Sequence, residues 1–148
     1  MTSQLLGVLP GRFVVVERQP VEPQSLEGQS VEGRSVDEQR GGIGDGADDW
    51  LALVRAPEGR LTVIRAERSH DPAGLERWRA LYGGDTAHGL DVPGMLAALL
   101  NPLAAAAVPV FVASTYAADL VLVPAARLGE ATAALRAAGH RLTQEESP

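Results

Sequence analysis

The sequence predicts an α+β fold, on three observations. β-branched apolar runs fill the first half, two segments in the second half have helical spacing, and from Arg77 onward the order reads strand, helix, strand, strand, helix, strand. That last order is the ferredoxin-like split, in which two helices cover one face of a four-stranded antiparallel sheet. The chain has 148 residues, enough for one ordinary domain or two small ones and too few for a repeat array. At this length folding buries roughly two-thirds of the surface of the unfolded chain, so a core is feasible without disulfides or a structural metal.

The elements follow in order. Arg12 to Arg18 (RFVVVER), after the turn Pro10-Gly11, reads as a buried strand. Trp50 to Arg55 and Leu61 to Ala66 are two more strands, and Pro57-Glu58-Gly59 between them has the residues of a reversing turn. Ser69 to Gly74 is a polar boundary, and Arg77 to Tyr82 resumes as a strand with Trp78, Ala80 and Tyr82 on one face. Met95 to Ala107 places Leu96, Leu99, Leu100, Leu103 and Ala107 at helical spacing, with Asp91 as a cap candidate and Pro93 in the first turn. Pro102 should kink that helix by removing an amide donor and crowding the carbonyl of Ala98. Val108 to Tyr116 and Leu120 to Val123 form an expected antiparallel pair. Leu128 to Ala138 reads as the second helix, stopped by Gly139, and His140 to Thr143 as a last short strand.

Charge locates an insert. The basic residues are all arginine, 13 against 19 acids, and the net −6 lies entirely between Gln19 and Asp49. This stretch holds Pro20, Pro23, repeated glycine and a slipped pentapeptide, SLEGQ, SVEGR, SVDEQ, from Ser25 to Gln39. Such a composition buries too little apolar surface to offset chain entropy, so it reads as a disordered loop between two strands. The run Gly41 to Gly46 is no dinucleotide loop, lacking a strand before and a helix after it. It is no calcium repeat either, because glycine stands where the sixth-position aspartate belongs.

The same arithmetic excludes function classes. Outside the insert, acids and arginines balance at eleven each, leaving no basic stripe for nucleic acid. The chain has no cysteine, which removes thiolate metal sites, iron–sulfur clusters and thiol catalysis. Leu103 to Ala113 is about half a membrane span and carries Pro109, and Met1 to Pro10 lacks a signal-peptide core. A soluble cytoplasmic protein without membrane contact is expected. His88 between Asp85 and Asp91 lacks the helical spacing of a metal cluster, and Ser114 with Thr115 has no histidine in triad order. No cofactor, no resident metal and no enzymatic activity are expected.

Asp91-Val92-Pro93-Gly94-Met95-Leu96 resembles the D-x-P-G-x-L signature of ACT domains, small ferredoxin-like modules that bind amino acids in regulated enzymes. Asn101 to Val108 and Ser114 to Pro124 are similar to the subfamily that includes the eukaryotic CASTOR arginine sensors and small bacterial relatives, as is Leu9-Pro10-Gly11-Arg12-Phe13. The resemblance implies two tandem ACT-like units. Residues 1–68 would be a degenerate first unit carrying the insert 19–49, and residues 76–144 the second. It further implies a ligand between the helix-start loop and the second strand, closed by a neighbouring unit, and a homodimer. On that basis the ligand side chains and backbone would come from Gly89, Leu90, Asp91, Val92, Gly94 and Leu96, with Ser114, Thr115, Tyr116 and Asp119 opposite. The arginine sensors carry an acidic residue where Val92 stands, so Val92 fits a smaller or less basic amino acid, or no ligand.

Physical chemistry supports such a site and offers an alternative at each position. A helix starting near Pro93-Gly94 presents unpaired amides at the positive end of its dipole, suited to a carboxylate. Gly94 permits close approach. Asp119 could pair with an ammonium, and the two hydroxyls could fix polar groups. Equally, Asp91 could simply cap the helix, Pro93 and Gly94 shape the turn, and Asp119 close a hairpin. The functional expectation is a non-catalytic amino-acid-binding regulatory or sensor protein, with a regulated protein partner. The alternative is a ligand-free association module that uses its sheet edges.

Overall fold

The computed structural model describes residues 3–19, 50–84 and 92–144. The insert expected to be disordered therefore lies, apart from Gln19, outside the described residues. So do Gly89, Leu90 and Asp91. Eight strands and two helices are described: β1 Leu5–Val8, β2 Phe13–Arg18, β3 Trp50–Arg55, β4 Leu61–Ala66, β5 Trp78–Tyr82, α1 Met95–Ala105, β6 Phe111–Ser114, β7 Asp119–Pro124, α2 Leu128–Ala137 and β8 Arg141–Gln144. They group into two compact units, Met1–Val14 with Ala66–Pro148, and Val15–Arg65.

In the larger unit, β6 pairs with β7, β7 with β5 and β5 with β1, all antiparallel. The expected ferredoxin-like α+β order from β5 to β8 is present, with one difference. The last strand does not flank β5: β1 stands between them, antiparallel to β5 and parallel to β8, with Leu5 opposite Arg141 and Val8 opposite Gln144. The sheet of this unit has a fifth strand, drawn from the start of the chain. Burial is the physical reason. Leu6 and Val8 are 1% and 4% exposed and join the core made by Leu81, Val121 and Val123 of the sheet with Leu99, Leu103, Ala131 and Leu135 of the helices. The start of β2 also reaches β5, where Phe13 is paired with Trp78.

Both helices bury a stripe at i, i+4 spacing, Met95, Leu99 and Leu103 in α1 and Ala131 and Leu135 in α2. The helix α1 stops at Ala105, short of the expected Ala107, and its cap residue is Gly94 in the left-handed region (φ 80°), without a side-chain cap bond. Pro102 lies inside α1 and cannot donate to the carbonyl of Ala98. His140 takes that place, its Nε2 lying 3.1 Å from Ala98 O. The ring's other nitrogen, Nδ1, accepts the Gln4 N–H at 3.3 Å, which assigns the ring proton to Nε2. At the far end of α1, Arg127 donates to the carbonyls of Ala106 and Ala107, a cation against the negative end of the helix.

The approach to β5 is fixed by Arg77. Its guanidinium donates to Glu67 at 2.6 Å and to the carbonyls of Pro72 and Leu75. That hydrogen bond, with Arg12 at 2.7 Å from the other carboxylate oxygen, holds the Glu67 carboxyl below its ordinary range.

In the smaller unit, β3 and β4 form an antiparallel hairpin whose register shifts between Trp50 and Ala52. The reversing turn falls where the sequence put it. Gly59 adopts φ 94°, and the Ala56 and Arg60 backbones bond at 2.8 Å. Beside β4 runs β2, and Arg60 bridges Glu17 and Glu58.

Candidate functional site

The first turn of α1 and the hairpin between β6 and β7 face one cavity of about 390 Å³. Val92, Gly94 and Leu96 line it from the helix side, and Ser114, Thr115, Tyr116 and Asp119 from the hairpin side. Seven of the ten residues singled out in the sequence are thus brought together. The other three, Gly89, Leu90 and Asp91, lie outside the described residues.

The helix side is a donor surface. The first bond of α1 runs from Ala98 N–H to Gly94 O at 2.9 Å, so the amides of Met95, Leu96 and Ala97 precede the helical ladder, and no side chain among the described residues caps them. All three residues line the cavity. Gly94 makes this possible: its left-handed conformation lets Pro93-Gly94 turn directly into the helix, and a Cβ there would meet nothing within 4 Å.

The hairpin side is more committed than expected. Ser114 and Asp119 are cross-strand partners, and the Ser114 hydroxyl donates to Asp119 Oδ1 at 2.6 Å. Thr115 Oγ1 donates to Ala118 O at 2.9 Å and accepts from the amides of Ala117 and Ala118, a local turn built by the side chain. Both hydroxyl protons therefore serve the hairpin and are not left over for a ligand. Asp119 keeps its second carboxylate oxygen without a bond to the described residues. The mouth is apolar and open, with Tyr116 86% and Val92 43% exposed.

One lining residue had no signal in the sequence. Gln4, just before β1, is 4% exposed, and its Nε2 donates to the carbonyl of Met95 at 2.8 Å. Gly83, Met95, Ala97, Ala117 and Ala118 complete the wall. Gln4 stands 91 positions before Met95, and only the placement of β1 inside the sheet of the second half joins them. Among the described residues no group of three His, Cys, Asp or Glu side chains could hold a metal ion, and no helix is long and apolar enough to cross a membrane.

Residues 75–137 match the family model described as ACT domain. The matched segment resembles an ACT domain. It takes in α1, the hairpin and hence most of the cavity wall, while Gln4 stands outside it. The whole chain is similar in fold to solved structures. One is a protein from Agrobacterium tumefaciens, at TM-score 0.68 and 18% identity, covering 99% of this chain and 97% of that one. Another is a Vibrio cholerae protein described as of unknown function and a possible transport protein, at TM-score 0.60 and 20% identity over 90% and 88% of the two chains. A third is in the structure of aspartokinase alpha and beta subunits, at TM-score 0.57 and 11% identity over 93% and 99%. At these identities the likeness is one of fold. No curated protein matches the sequence. ACT domains are in general small-molecule regulatory modules, and many bind amino acids and form dimers.

Proposed function

We propose that this chain is a non-catalytic regulatory protein of the CASTOR-like kind, which binds an amino acid in the cavity at the start of α1 and passes the bound state to a protein partner. Its first half is read as a reduced ACT-like unit. The observation that supports the reading is the complementarity of the two walls: amides at the positive end of α1 that no described side chain caps, for the α-carboxylate, and the Asp119 carboxylate across the cavity for the α-ammonium. The exposed Val92 and Tyr116 at the mouth suit closure by a second copy, so the working state is a homodimer of cytoplasmic protein. Light scattering should then give about twice the 15.5 kDa chain mass, and a monomer at tens of micromolar would remove the dimer from the reading.

The test is a thermal-shift screen of the full chain against the standard amino acids. A ligand that binds only the folded form adds about 2.7 kcal/mol at a hundredfold over its dissociation constant, a clear rise in Tm. Asp119→Asn keeps shape and removes charge, and should cost about 1.5–3 kcal/mol of affinity for the ligand so found. No shift with any amino acid, or unchanged affinity in that variant, rejects the assignment.

A second reading has its own observation. Asp119 is bonded to Ser114 and Thr115 to its own turn, as a ligand-free association module would require. In that case Asp119→Asn lowers the Tm of the unliganded protein and no amino acid raises it.

A further inference from the structure

We infer that Gln4 reads the side chain of the bound amino acid, selecting an uncharged side chain that carries a hydrogen-bond donor; this rests on the amino-acid reading above. Gln4 is 96% buried by its 4% exposure and lines the cavity. Its backbone N–H donates to His140 Nδ1 at 3.3 Å and its carbonyl accepts from Arg141 N–H at 2.9 Å, fixing the residue between β8 and the helix layer. Its side-chain Nε2 donates to Met95 O at 2.8 Å. A carbonyl only accepts, so the amide must turn its NH₂ to Met95, and the orientation of Oε1 follows. Oε1 has no partner among the described residues. It lies where a Cβ on Gly83, another lining residue, would come within 3.6 Å.

The cavity therefore offers a locked neutral acceptor at Gln4 Oε1 after the backbone ends of the ligand are placed. The helix amides take the carboxylate and Asp119 takes the ammonium. The Ser114 and Thr115 hydroxyl protons are already used. Asp119 is the one charged side chain among the described lining residues, so among them a cationic ligand side chain would find no second carboxylate. An anionic one would meet the oxygen of Gln4. An apolar side chain would expel solvent from Oε1 and leave it unsatisfied, which a hydroxyl or carboxamide does not. The polar residue that discriminates thus comes from just before the strand inserted at the start of the chain, outside the matched segment.

The experiment measures calorimetric affinities of the full chain for two near-isosteric pairs, threonine against valine and asparagine against leucine. The hydrogen-bonding member of at least one pair should bind about tenfold tighter or more, the price of a lost buried hydrogen bond. Gln4→Met, of similar shape but without the acceptor, should bring that ratio to within about twofold. Equal binding within both pairs by the native protein, a preference retained in Gln4→Met, or strongest binding of a charged amino acid would overturn the inference while leaving the amino-acid site standing. No binding of any amino acid at millimolar concentration would overturn both. Should Gln4→Met fail to fold, the native protein's two ratios decide alone.

Discussion

Proline within a helix strands the carbonyl four residues back, and in α1 that carbonyl is recovered by a residue from the far end of the chain. His140 is 5% exposed and joins three segments, with Nε2 on Ala98 O and Nδ1 on Gln4 N–H. Replacing it by leucine leaves one part-buried acceptor and one buried donor without partners. A fully buried group of this kind costs about 1–3 kcal/mol and a partly buried one less, so His140→Leu should lose about 2 kcal/mol. Pro102→Ala supplies a new amide for Ala98 O, so in that background the His140→Leu penalty should fall by about 1 kcal/mol. Urea denaturation of the four proteins measures the coupling. Strictly additive losses would mean that His140 does not stand in for the missing helical bond. The sequence gives the problem at this scale, a proline crowding Ala98. It gives no way to name the partner, because a histidine 42 residues away is joined to it only by the fold. Gln4 was hidden for the same reason: nothing local distinguishes it from any polar residue before an apolar run.

The two helices end on the same backbone motif with different residues. After α1, Val108 N–H bonds to Leu103 O and Ala107 N–H to Ala104 O, both at 2.9 Å. After α2, His140 N–H bonds to Leu135 O at 3.0 Å and Gly139 N–H to Arg136 O at 2.9 Å. This is the Schellman pattern, which needs a left-handed residue just past the cap. Gly139 meets it without strain at φ 90°, while Ala107 adopts φ 53° with a Cβ, at a cost of about 1 kcal/mol or more. Ala107→Gly should therefore raise stability by up to about 1 kcal/mol, against some loss from the freer unfolded chain. Gly139→Ala should lower it by about 1–2 kcal/mol, although a Cβ there meets nothing within 4 Å. Equal and small effects at both sites would show that the motif does not govern either end. Elements of this kind were legible because their signals are local: the glycine stop at Gly139, the turn at Gly59 and the apolar spacing of Leu99 and Leu103. The position of β1 was not. Its four residues are not singled out as a strand in the sequence, and only burial of Leu6 and Val8 against α1 and α2 places them beside β8.

At the scale of the whole chain, the sequence separates what must pack from what need not, and the strand directions set how the two can be tested. The acidic insert accounts for the entire net charge of −6, so its removal leaves a balanced protein with less self-repulsion. The geometry of its ends forbids a tight turn as replacement. The smaller unit orders its strands β3, β4, β2. Arg60 pairs with Glu17, while Glu67 N–H bonds to Arg12 O, so β2 runs antiparallel to β4. Since β3 is also antiparallel to β4, β2 and β3 run parallel on either side of it. A link from Arg18 to Trp50 must return along a six-residue strand, roughly 20 Å, and step sideways by about 10 Å. About a dozen residues suffice for such a parallel connection. Replacing residues 20–49 with a glycine-serine linker of about that length shortens the loop by little more than one halving. The closure entropy then changes by less than about 1 kcal/mol, in the stabilising direction. The urea midpoint should hold or rise slightly, whereas a linker of about four residues, too short for the span, should unfold the smaller unit. If the dozen-residue linker instead costs several kcal/mol, the insert supplies packing that its composition does not suggest, and the reading of residues 20–49 as dispensable fails.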